Sequence, residues 1–180
     1  MQIVDYVGSF DLLVRDIKQV LEFVEPTDAN AATYSHRLYA ILLRVCTDFE
    51  SLARDLLVRQ GCKKSVGKMN VNDYRTLELL LRLESVKIDF LLWRPMPLRV
   101  LPFKDWSKAS PPLSWYNDYN AVKHNRQAEF PRANLAVVVE ALAGQFALIS
   151  KACDYNWPSG GWSRDHSAGS FWRDPFQMYG

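Results

Sequence analysis

Apolar residues recur at three- and four-residue intervals over most of this chain, the period of a helix that buries one face. Ile3, Val7, Phe10, Val14, Ile17, Leu21 and Val24 set the first stripe and predict a helix over 3–24, stopped by Glu25-Pro26. A longer stripe, Leu38, Ile41, Leu42, Val45, Phe49, Leu52, Ala53 and Leu56, predicts a second helix over 34–60. Thr33 or Ser35 is its N-cap, and Gly61 lies just past its end. Asn72 is placed to cap a third helix running through Tyr74, Leu77, Leu80, Leu81 and Leu83. A fourth helix opens behind Ser110-Pro111-Pro112 and ends near Arg126. Beyond Pro131, residues 132–154 are apolar nearly all round and predict the central helix.

Two stretches break the helical period. Val86-Lys87-Ile88-Asp89-Phe90 alternates as a strand does, Pro95 and Pro97 interrupt, and Leu98-Arg99-Val100-Leu101-Pro102-Phe103 resumes, so 86–103 predicts a hairpin or an ordered extended loop. From Asn156 onward the chain is rich in Gly, Ser and Pro, yet it carries Trp157, Trp162, Phe171, Trp172, Phe176 and Tyr179. Disordered tails are poor in aromatics, so this one is expected to lie on something and to be ordered at least through Trp162. The whole pattern predicts an all-α bundle of four to five helices with a small extended insertion. Residues 1–155 form the domain, and 156–180 an aromatic tail packed on the domain or on a partner.

Composition narrows the classes of function. The formal charge of +2 argues against an electrostatic glove for long duplex DNA, which demands a strongly basic surface. Cys46, Cys62 and Cys153 have no metal-ligand spacing, and an odd count without a framework fits a reducing cytoplasm. Cys46 and Cys153 read as buried thiols. The opening Met1-Gln2-Ile3-Val4-Asp5 lacks the basic stretch of a secretory signal. No apolar run reaches the length of a membrane span. The expectation is a cytoplasmic protein without cofactor; His166 is isolated, and no zinc site is read.

The most informative segment is 115–126, Trp-Tyr-Asn-Asp-Tyr-Asn-Ala-Val-Lys-His-Asn-Arg. Helical spacing puts Tyr116, Asn120 and His124 on one stripe, with Asn117 and Lys123 beside it. An imidazole titrates near neutrality, so His124 suits general acid or base work. Metal-free RNA cleavage needs such a group near the 2′-hydroxyl and a cation at the phosphate, which Lys123 or Arg126 could supply. The opposing reading has His124 bonded to a backbone carbonyl and both cations solvated. Asn117, Asn120 and Asn125 could hold a phosphate or a base edge, or tie the helix to the segment before it.

Long helices, this late His-bearing helix and an apolar final helix resemble the HEPN superfamily, over roughly 34–154. The Tyr-Asn-Ala-Val-Lys-His-Asn-Arg run resembles a motif of uncharacterised bacterial HEPN-like proteins. The resemblance implies an all-α fold and an RNA- or nucleotide-directed role, either as a metal-independent ribonuclease or an RNA binder in a toxin or phage-defence setting. It matches Glu50 to the family's early acidic position and implies pairing into homodimers; with the residue reading, His124 and Glu50 are the catalytic candidates, and Asn120, Lys123, Arg126 and Tyr116 the ligand- or RNA-binding candidates. One departure matters: the nuclease motif carries an Arg shortly before the His, and here those positions hold Asn117, Asp118 and Tyr119. The alternative is a non-catalytic, dimerising interaction module.

Other features stay open. Glu50 and Glu140 sit beside apolar stripes and need partners, for which His124, Lys123, Arg126 and Arg37 are candidates. Ala136, Glu140, Gly144, Ala147 and Lys151 share a face whose small residues permit close approach of another helix, from this chain or a second copy. The lysine-bearing loop at 62–68 lacks the spacing of a P-loop and reads as solvated. The tail aromatics could stack bases, dock in a partner's groove, or cover the domain's own apolar surface.

Overall fold

The computed structural model describes residues 3–104, 106–108, 113–154 and 175–179. It is mostly helical. Helix α1 is Ile3–Leu21, α2 His36–Arg59, α3 Val71–Tyr74, α4 Leu77–Leu81, α5 Ser114–His124, α6 Arg126–Glu129 and α7 Leu135–Asp154. Strands β1 (Lys87–Phe90), β2 (Leu98–Val100) and β3 (Phe176–Tyr179) form an antiparallel sheet in the order β2-β1-β3. The all-α expectation is therefore incomplete. The hairpin lies where the alternating pattern put it, and the chain's last described residues add a third strand.

Helices α2 and α7 share the largest interface and form the spine, with α1 lying against both. The predicted α2 stripe is buried at every position named for it. The face of α1 is rotated from the expectation. Tyr6, Leu13 and Val20 are buried, whereas Val7, Val14 and Leu21 are only half-buried, because α1 sits in the groove between two helices. Helix α7 is long and apolar enough to cross a membrane, and 78% of that window is buried inside the protein.

Local chemistry sets the helix ends. The Ser35 side chain accepts from Leu38 N at 3.2 Å and starts α2. Gly61, at φ +90°, ends it in the left-handed conformation that only glycine adopts without strain. The third helix differs from the expectation. Asn70, not Asn72, caps it in a capping box with Asp73, and the helix breaks after Tyr74 before resuming as α4.

Aromatic rings fill the core on both sides of the spine. Phe49 meets Trp115 edge-on at 5.1 Å and lies within 6.4 Å of Tyr74, Phe103, Trp106 and Tyr116. At the sheet, Phe176 of β3 packs on Phe90, Phe146 and Phe10 at 5.1, 5.7 and 5.9 Å. The end of the tail thus covers the domain's own apolar surface. Trp157, Trp162, His166, Phe171 and Trp172 lie outside the described residues.

The middle of the small-residue face of α7 is used internally, while Ala136, Glu140 and Lys151 stay half-buried. Ala147 is fully buried, and a Cβ on Gly144 would stand 2.9 Å from Trp115 Cζ2. Gly144 exists to admit the Trp115 ring, so it is not open to a second copy. Cys46 is buried as expected, Cys153 is half-buried and Cys62 is exposed.

Candidate functional site

The motif helix is shorter than the sequence pattern suggested. Asn125 leaves helical geometry at φ −141° and ψ 68°, and its side chain accepts from Ala128 N to start α6. Arg126 therefore opens a new helix and does not continue the face of Lys123. The break divides the motif residues between two environments.

The inner environment lies between α5 and α2. Tyr116 is buried and donates its hydroxyl to Glu50 Oε1 at 2.8 Å. Arg54, one helical turn beyond Glu50, donates to its Oε2 at 2.7 Å. Arg54 also lies 5.8 Å from the centroid of Tyr74. Burial and the neighbouring Glu50 carboxylate push the Tyr116 phenol up. Lys123 turns back along α5 and donates to the Tyr119 hydroxyl at 3.0 Å. That bond, together with the field of Glu50, raises the Lys123 ammonium against the opposing cost of burial. Above this network, burial pushes the Cys46 thiol up.

Glu50 thus finds a partner that the sequence reading did not name. The i to i+4 spacing on one helix was the available signal for Arg54. His124, Lys123, Arg126 and Arg37 make no hydrogen bond to Glu50 among the described residues. His124 is exposed at the end of α5, so the Glu50–His124 pair expected of an acid-base site is not assembled here. Tyr116, Asn120 and His124 share a face but grade outward from buried through half-buried to exposed.

The outer environment lies where α6 meets the start of α2. Arg126 Nη2 is 2.9 Å from His36 Nδ1, and the guanidinium passes 4.6 Å from the Tyr39 ring centroid and 5.5 Å from that of Phe130. Phe130 anchors the cluster, with Tyr34 edge-on at 5.6 Å, Tyr39 at 5.7 Å and His36 at 5.0 Å. Arg126 has no carboxylate partner among the described residues. The nearest acid in sequence, Glu129, is taken by Arg132, which also binds Asp118. Tyr34, His36, Lys123, His124 and Arg126 are all exposed. His36, Tyr39 and Phe130 were absent from the sequence reading, since only the fold brings them to Arg126.

A separate cleft of about 570 Å³ lies between β2 and the first turns of α5 and α7, lined by Leu98, Val100, Lys104, Leu113, Asn117 and Glu140. Ser114 donates to Glu140 at 3.2 Å. Burial pushes the Glu140 carboxyl up, Asp118 adds to this, and Ser114 opposes it. A carboxyl raised in the folded state contributes stability at low pH and loses it as pH rises through its folded titration point. Glu140→Gln is therefore expected to match wild type in acid and to be more stable at neutral pH. The gain is less than about 1 kcal/mol, because part of the carboxyl stays in water. Thermal melts across the pH range check this, and a Gln variant less stable than wild type at pH 7 would contradict it.

Comparison of the chain with protein-family models, with curated proteins and with solved structures returns no match.

Proposed function

We propose that this is a HEPN-like helical protein that binds RNA or a nucleotide through phosphate, with Arg126 as the anchor and Lys123 and His124 beside it. The observation that carries the reading is an exposed guanidinium held by two aromatic rings and an imidazole, with no carboxylate to neutralise it among the described residues. Surface arginines held only for structure are most simply satisfied by an acid, as Arg132, Arg99 and Arg44 are here. An ordered arginine lacking one offers a planar fork of donors suited to phosphate oxygens. Exposed Tyr34, packed edge-on against half-buried Phe130, supplies ring surface for a base.

The arrangement favours binding over catalysis. Glu50 is committed to Tyr116 and Arg54, and the Arg expected ahead of His124 is missing. Arg126→Ala is expected to weaken single-stranded RNA binding by about tenfold or more, the scale of one charge-assisted contact of ~1.5–3 kcal/mol. The slope of log affinity against log salt should flatten by about 0.7. Fluorescence anisotropy with a labelled oligonucleotide reads both. Unchanged affinity and salt slope in a folded Arg126→Ala variant would remove the reading. Cleavage of the oligonucleotide by wild type that vanishes in His124→Ala would move the assignment from binder to ribonuclease.

A further inference from the structure

We infer that His36 is a positioning residue for Arg126, setting the orientation in which the guanidinium receives a phosphate oxygen. The inference rests on the phosphate reading above. A guanidinium carries no acceptor and keeps all its protons. At 2.9 Å, Arg126 Nη2 therefore donates and His36 Nδ1 accepts. When this bond is made, the imidazole proton sits on Nε2. The contact joins residues 90 positions apart, the first of α2 and the first of α6.

Two constraints then act on one cation. The rings of Tyr39 and Phe130 restrict where the guanidinium lies, and Nδ1 fixes its rotation there. Phe130 in turn packs on the His36 ring, at 5.0 Å and 41°, so the acceptor is itself held. The other N–H groups of Arg126 make no hydrogen bond among the described residues. An arginine ordered before its ligand arrives loses less side-chain freedom on binding. The role of His36 is thus to raise affinity through Arg126 without touching the ligand.

Substitutions separate the two ring nitrogens. The Oδ1 of Asn reaches close to the place of Nδ1, whereas the amide of Gln reaches toward that of Nε2. The probe is a fluorescein-labelled oligouridylate of about ten nucleotides, within the span of single-strand sites. His36→Ala is expected to bind it about three- to tenfold more weakly, the scale of ordering one long side chain. His36→Asn should recover most of the affinity, and His36→Gln should not. Long-range ¹H–¹⁵N NMR of the free full chain should show the His36 proton on Nε2, with an Nδ1 resonance that moves in Arg126→Ala. A proton on Nδ1, wild-type affinity in His36→Ala, or recovery by Gln and not by Asn would each overturn the assignment. A wild-type chain that leaves the oligonucleotide unbound overturns the phosphate reading and the positioning role together. Failure of the positioning role alone is recognisable because wild type then binds.

Discussion

Glu50→Ala is expected to destabilise the fold by about 3 kcal/mol, the low end for breaking a buried pair by deleting one partner. Glu50 is only 8% exposed and holds two donors, Tyr116 at 2.8 Å and Arg54 at 2.7 Å. Its removal strands the Tyr116 hydroxyl in the core. It also leaves the Arg54 guanidinium facing the Tyr74 ring without its carboxylate, and Arg54 Nε is already buried without a partner. The cost stays at the low end because the Arg54 side chain keeps 31% of its surface. Glu50→Gln should cost less, since an amide oxygen still accepts from Tyr116. Urea unfolding reads the difference, and a loss under about 1 kcal/mol would show that the network contributes little. The same variant separates structure from chemistry. Folded Glu50→Ala protein is expected to bind RNA as wild type does. A selective loss of RNA binding or cleavage at full stability would return Glu50 to the functional site.

The long elements were legible because burial and period coincide in them. Every position of the α2 stripe is buried, and α7 is apolar all round because helices and the sheet surround it. Short elements were less legible. Arg82 takes up the left-handed conformation at φ 51° and ends α4, and Asn125 breaks the motif helix in mid-pattern; neither residue type is unusual in a helix in sequence. The third strand was invisible, since Phe176-Gln177-Met178-Tyr179 gains its pairing from β1, far away in the chain. Periodicity carries no information about such partners.

The candidate site shows the same division. Residues within one helix were placed correctly relative to each other, so Tyr116, Asn120 and His124 do share a face. Their depth was not legible, because depth depends on what packs above them. Lys123 and Arg126 read as one cationic cluster, yet the Asn125 break sends Lys123 back to Tyr119 and Arg126 out to His36. His36, Tyr39 and Phe130 carry no local signature, and only tertiary contact makes them part of a site.

Gly144→Val is expected to be the other severely destabilising change, at about 2–5 kcal/mol, combining overpacking with strain on a buried hydrogen bond. A Cβ at this position stands 2.9 Å from Trp115 Cζ2, closer than carbon atoms tolerate, and a tight 3.3 Å from Cε2. The ring has nowhere to retreat. Trp115 is fully buried, meets Phe49 edge-on at 5.1 Å, and donates its indole N–H to the Pro102 carbonyl at 2.8 Å. A shift large enough to admit the valine methyls stretches that bond or moves α5 away from α7, and α5 carries the motif. Chemical denaturation with tryptophan fluorescence reads the loss. The experiment also decides what the small-residue face of α7 is for. If the face served a second copy of the chain, Gly144→Val would change the mass seen in sedimentation while leaving the monomer's stability near wild type. Because Trp115 occupies the space at Gly144 instead, the variant is expected to unfold earlier while its association state stays that of wild type.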